Sequence, residues 1–175
     1  MDAGEPPAGM AVAEQPTPPM MHCDPFDGTA LRLRDFGFVR IGSDEALRLE
    51  TDFTIEAWIR PSVVVSNTFM NIISKEGEYQ IARRADGVIA WTLANPQPGW
   101  RWQNTGAVAP ANSWTHLALV YAEGRATLVV DGVVHGSIEG RGIVGDFHPD
   151  KDELRIGGRQ NSLGHAFAGD IDDVR

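Results

Sequence analysis

The stretch Thr51-Asp52-Phe53-Thr54-Ile55-Glu56-Ala57-Trp58-Ile59-Arg60-Pro61 alternates with period two. Phe53, Ile55, Ala57 and Ile59 fall on one side, and Thr54, Glu56, Trp58 and Arg60 on the other. Successive side chains of a strand leave opposite faces of a sheet, so the pattern is a strand with one apolar and one mixed face. Pro61 closes it, because proline has no N–H to give to a ladder. The same texture returns in 113–121, 126–134 and 169–175. Asp86-Gly87, Glu123-Gly124 and Asp131-Gly132 each separate two apolar runs. Asp-Gly between β-branched residues predicts a tight hairpin, since a type I′ turn needs positive φ at both central positions. Nowhere do apolar residues recur at three and four for three turns, which argues against long helices. Many short strands joined by regular turns predict an all-β fold. Apolar residues on both faces of 115–121 favour an antiparallel two-sheet sandwich over a barrel. The expected core holds Ile55, Ala57, Ile59, Leu117, Leu119 and Leu128, with Trp58 and Trp114 assigned to it as well.

Composition narrows the partners. Asp and Glu number 24 against 15 Lys and Arg, a formal net charge of −9. Phosphate backbones require a basic stripe, so nucleic acid and anionic membrane are not expected partners. The densest basic group, Arg32, Arg34 and Arg40, reads as a solvated face. Cys23 is the only cysteine, so no intrachain disulfide forms. No run of about 18 apolar residues exists, and no helical membrane insertion is expected. The N-terminus carries Asp2 and Glu5, has no basic residue before Arg32, and lacks an apolar segment. That is unlike a secretory signal, so the expectation is a cytoplasmic protein, or an extracellular one if the N-terminus is incomplete or processed. Residues 1–21, with Pro6, Pro7, Pro16, Pro18 and Pro19, read as a disordered tail, and 22–175 as the folded domain.

Six blocks in order carry a family resemblance. They are Phe53–Pro61, Ile73-Ser74-Lys75-Glu76-Gly77, Trp114-Thr115-His116-Leu117-Ala118, Val130-Asp131-Gly132-Val133, Leu154-Arg155-Ile156-Gly157-Gly158, and Gly169-Asp170-Ile171-Asp172-Asp173-Val174-Arg175. Together they resemble the laminin-G-like jellyroll domains of the concanavalin A-like lectin/glucanase superfamily, from about residue 29 onward. The resemblance implies a jellyroll sandwich. It also implies a calcium ion between the first and last strands, with Asp172 and Asp170 facing Asp35 or Asp27. Arg34 stands where that pattern has a carboxylate, and the pattern continues past Arg175, which implies truncation at the last strand.

Three residue groups are candidates for chemistry. Trp91, Trp100, Arg101 and Trp102 form the ligand candidate, because indoles presented on one strand face offer a stacking surface to the apolar side of a sugar. The loop Pro96–Gly99 beside them reads as exposed. The competing reading is that the indoles plug the core. Asp172, Asp170 and Asp35 are the metal candidates. Glu50, Asp52 and Glu56 resemble a glucanase motif but carry one residue too many between the last two. Along a strand Asp52 and Glu56 would stand about 13 Å apart, too far for paired carboxylates, which work at about 5–9.5 Å. No histidine–cysteine zinc set, nucleophile elbow or phosphate loop is present, so no catalytic residue is assigned. The expected function is a non-catalytic recognition module for carbohydrate or a protein surface. A structural or accessory domain of a larger protein is the alternative, and a glycoside hydrolase a distant one.

Overall fold

The computed structural model describes residues 30–62, 69–95, 99–160 and 162–175. The expected tail, Cys23, Asp27 and most of the Pro96–Gly99 loop lie outside them. The described chain forms twelve strands: β1 (Leu31–Leu33), β2 (Val39–Gly42), β3 (Phe53–Pro61), β4 (Met70–Lys75), β5 (Tyr79–Arg83), β6 (Val88–Leu93), β7 (Gln103–Val108), β8 (Thr115–Ala122), β9 (Arg125–Val130), β10 (Val133–Glu139), β11 (Leu154–Ile156) and β12 (Gly169–Asp172). They assemble into two six-stranded sheets, β1-β12-β3-β8-β9-β10 and β2-β11-β4-β5-β6-β7. Every strand pair in them is antiparallel. Helix is limited, among the described residues, to two short 3-10 turns at Glu45–Leu47 and Leu163–His165.

The alternation in β3 sorts as the sequence requires. Ile55, Ala57 and Ile59 are buried, and with Leu117 and Leu119 of β8 and Leu128 of β9 they meet Ile73, Ile81, Ile89 and Trp91 of the second sheet. At about 25 cal/mol per Å² of apolar surface removed from water, this core is the main stabilising term of the sandwich. Trp58 and Trp114 depart from the core assignment. Trp58 follows the outward parity of Glu56 and Arg60 and lies 5.1 Å from the His116 ring, while Trp114 sits half-buried under the Arg60 guanidinium.

Two of the three expected turns are two-residue hairpins with positive φ at both positions: Glu123 (50°) with Gly124 (75°), and Asp131 (49°) with Gly132 (78°). At Asp86-Gly87 only Gly87 is left-handed. There Gly87 N donates to Arg84 O and Arg84 N donates to Val88 O. The loop is therefore three residues long, Ala85–Gly87, and Asp86 contributes its carboxylate to the Val88 N–H instead.

Candidate functional site

The site grows from strand parity at one edge of the first sheet. In β3 the apolar side chains point inward, so Arg60 points out. Its cross-strand partner in β12 is Asp170, whose partner in the edge strand β1 is Arg32. Directly opposed residues on one sheet face bring their side chains into contact, and opposite charges there attract. Arg32 Nε donates to Asp170 Oδ1 at 2.7 Å, and Arg60 Nε donates to Oδ2 at 2.8 Å. Burial pushes the Asp170 carboxyl upward, but hydrogen bonds and charge from the two arginines outweigh it and hold it below the usual carboxylate range. The same hydrogen bond raises the Arg32 guanidinium above its ordinary value. Trp114 lies 4.9 Å from the Arg60 guanidinium and gives it a cation–π seat.

Beside this row opens a cavity of about 530 Å³. Arg32, Arg60 and Asp170 line one side, Arg34 and Asp35 another, and Ser62 and Asn112 a third. Arg34 and Asp35 belong to a turn closed by Gly37 N donating to Arg34 O at 2.8 Å, in which Asp35 and Phe36 have φ of 51° and 64°. Left-handed φ at two consecutive non-glycine residues is strained, and such strain concentrates at ligand sites. Phe36 in that turn leaves 62% of its surface exposed. The remaining wall is tied by backbone: Ser62 N and Oγ both donate to Ala168 O, and Asn112 N donates to Pro61 O at 2.7 Å. The side chains of Arg34, Asp35 and Asn112 have no hydrogen-bond or ion-pair partner among the described residues.

These residues do not fit the calcium that the resemblance implied. Both oxygens of Asp170 accept from guanidinium groups, and Asp172 Oδ1 accepts from the Asp173 N–H at 2.9 Å. Asp35 shares its cavity with three arginines. A divalent cation would have to displace two guanidinium groups and then sit against their charge. A second acidic group, Glu78, Asp146 and Asp152, places its carboxylate oxygens within 4.8 Å of one another. The Lys75 ammonium already bridges Glu78 and Asp152 there. Burial raises the Glu78 carboxyl, whereas the Lys75 hydrogen bond lowers that of Asp152.

The aromatic candidates separate. Trp91 is 2% exposed and packs between the sheets. Trp100 packs against the core cluster, whereas Trp102 stacks on Phe69 with centroids 4.6 Å apart. Residues 100–102 precede β7 and are not regular strand, so period two does not hold them on one face. Arg101 is exposed and lines a narrow crevice with Trp91 and Tyr121.

The outer face of the second sheet is polar. Arg40, Arg155, Ser74, Gln80 and Thr92 are successive cross-strand partners over five strands. Most of that row is satisfied internally. Gln80 Nε2 donates to Ser74 Oγ at 2.7 Å and to Glu76 Oε2 at 3.2 Å, and Arg159 pairs with Glu76. Ser74, Gln80 and Thr92 are buried, so the row is not an open platform.

The glucanase-like carboxylates are occupied elsewhere. Asp52 Oδ1 accepts from Glu123 N at 2.9 Å, and Glu56 on the outer face of β3 meets His116 Nε2 and Arg175 at 3.4 Å each. Glu50 lies 3.9 Å from the Arg48 guanidinium.

Sequence reasoning missed Arg60, Ser62 and Asn112 and read Arg32 and Arg34 as solvated. The signal present was the outward parity of Arg60; what was lacking was the pairing of β12 with β3 that sets Asp170 beside it.

A family model described as the concanavalin A-like lectin/glucanases superfamily, of laminin G type, matches residues 35–175. No curated protein sequence matches the chain. Among solved structures, the CBM40 of Ruminococcus gnavus IT-sialidase bound to α2,3 sialyllactose is similar, at 14% identity and TM-score 0.58, over 82% of this chain and 86% of that one. A carbohydrate binding protein of Bacteroides ovatus, described as putative, aligns at 20% identity and TM-score 0.59, over 79% of this chain and 41% of that one. Mouse laminin α1 domains LG4-5 align at 14% identity and TM-score 0.56, over 79% of this chain and 38% of that one. At these identities the likeness is one of fold. With a family match over 35–175 and two antiparallel sheets in sandwich, the chain belongs to the laminin-G-like family of the concanavalin A-like lectin/glucanases superfamily.

Proposed function

We propose that this chain is a non-catalytic recognition module that binds carbohydrate in the cavity beside β1, β12 and β3. The observation that carries the reading is the cavity itself. It is large enough for a sugar residue, its walls are tied by backbone hydrogen bonds, and it is lined by Arg34, Asp35 and Asn112, whose side chains have no partner among the described residues. A guanidinium and a carboxamide donate to hydroxyl oxygens, and a carboxylate accepts from hydroxyl hydrogens. Phe36 on the adjoining turn offers an exposed ring to the apolar side of a sugar. Support from relatives is of the same kind: the Ruminococcus gnavus module is bound to sialyllactose, and domain 4 of the arabinanase AbnA from Geobacillus stearothermophilus is in complex with arabinotriose.

The non-catalytic part rests on the carboxylates. Asp170, clamped by two arginines and held low, is a poor general acid. Glu56 and Asp52 already have partners.

The test is a glycan array followed by calorimetric titration of the hits. Arg34 is exposed and unpaired among the described residues, so Arg34→Ala should weaken binding by roughly tenfold or more, as loss of one charge-assisted hydrogen bond implies. Its melting temperature should stay where it is. Binding unaffected by both Arg34→Ala and Asn112→Ala would remove the cavity from the account. A protein-surface role would then be favoured by the exposed Val133 and Val134 at the β9–β10 hairpin.

A further inference from the structure

The cavity holds more positive charge than its neighbours consume. Three guanidinium groups, those of Arg32, Arg34 and Arg60, line it against two carboxylates, Asp170 and Asp35. Asp170 serves two arginines at once. Arg32 reaches it through Nε at 2.7 Å, and Arg60 through Nε and Nη2 at 2.8 and 2.7 Å. A guanidinium carries five N–H donors, so the Nη1 group of each remains unspent among the described residues after that bridge. Arg34 contributes a whole fork with no partner among the described residues. In a chain of net charge −9, this is a local reversal of sign.

Two guanidinium groups drawn together on one carboxylate repel each other, and a third adds to that. An anion entering the cavity would relieve the repulsion and take a planar, two-pronged hydrogen-bond pattern that a neutral hydroxyl cannot match. Asp35 stands in the same cavity and accepts hydrogen bonds only, so it favours hydroxyl groups beside the anion over a bare inorganic ion.

Resting on the carbohydrate reading above, we infer that the cavity selects acidic saccharides, with the Arg34, Arg32 and Arg60 guanidinium groups on the anionic substituent and Asp35 and Asn112 on neighbouring hydroxyls. The shared chemistry is a carboxylate or a sulfate ester on a sugar ring.

The experiment titrates the full chain with matched oligosaccharides: one bearing uronic acid, the same one with its carboxyl groups reduced to alcohols, and a sulfated counterpart. Inorganic sulfate alone is a fourth arm. The expected result is binding of the uronate or the sulfated sugar at least tenfold tighter than the reduced one. Arg34→Gln should collapse that preference to within about twofold, because the acidic sugar loses far more affinity than the neutral one. Comparison of the uronate with the sulfated arm tells which anion is preferred. Equal binding of acidic and reduced sugars, with both lowered by Asn112→Ala, would overturn the acid preference and leave the carbohydrate reading standing. Sulfate binding with no saccharide binding, or no binding in any arm, would overturn both. Urea midpoints of each variant, measured in parallel, ensure that a loss of binding is not a loss of fold.

Discussion

Asp170 ties β1 and β3 to β12 through two arginines and, on the proposed reading, holds both in the binding cavity. It is 6% exposed and bridges two arginines, so Asp170→Asn should leave two guanidinium groups facing each other over a neutral amide. Because both arginines are partly solvated, the expected loss is about 1–2 kcal/mol, below that of a fully buried pair. Its pH dependence has a definite sign. The carboxyl is held below its ordinary value of 3.8, so the unfolded chain takes up a proton more readily than the folded one. The stabilisation is complete above that value and is lost as pH falls through the lower folded value. Urea midpoints of wild type and Asp170→Asn should therefore differ fully at pH 7 and converge below about pH 4. A gap that persists unchanged at the acid end would mean that the carboxylate charge is not what matters. At this scale the sequence was partly legible. Asp170 could be picked out as a site residue, yet its partners could not, because Arg32 and Arg60 lie 138 and 110 residues away along the chain.

Elements were legible where a local rule decides them and obscure where neighbours do. The Asp131-Gly132 and Glu123-Gly124 hairpins follow from the positive φ that type I′ turns demand. The loop at Ala85–Gly87 escaped that rule because a three-residue connection places only its glycine in the left-handed region. Two glycines separate the local cost from the tertiary one. A Cβ at Gly132 (φ 78°) would meet nothing within 4 Å, so Gly132→Ala should cost about 1 kcal/mol, the backbone penalty alone. A Cβ at Gly169 (φ 144°) would collide with the Arg60 carbonyl oxygen and the Pro61 Cα of β3. Neither is the end of a flexible side chain, so β12 must move away from β3, and Gly169→Ala should cost more than about 2 kcal/mol. Comparable urea midpoints for the two variants would show that the contact is easily relieved. The shift of β12 should also carry Asp170 off Arg60, so binding in the cavity should fall with Gly169→Ala and not with Gly132→Ala.

For the whole molecule, the antiparallel sandwich was legible because alternation with period two runs through so many segments. Strand order was not, since no local signal says that β12 inserts between β1 and β3. The aromatic candidates illustrate the same limit: Trp91 and Trp102 differ in what lies above them, which only the packed sheets decide. The charge arrangement yields a test on the intact chain. Since two arginines hold Asp170 and Lys75 bridges Glu78 and Asp152, millimolar calcium, or its removal by a chelator, should leave the melting temperature unchanged. A calcium-dependent rise would show that an acidic cluster outcompetes its resident cation. The neighbouring placement of β1 and β12 has a mechanical consequence. They run antiparallel at the sheet edge, so Leu31 and Ile171 lie at the same end of the pair, and the chain beyond Ile171 stays bonded to β3 through Arg175 and Glu56. Tension applied across those two points loads their ladder like a zipper, one rung at a time, rather than in shear. Leu31–Ile171 opens first and Arg32–Asp170 next, while the hydrophobic interior still holds. The cavity would thus lose one wall before the interior of the sandwich opens, and a saccharide held there as proposed would be released by pull.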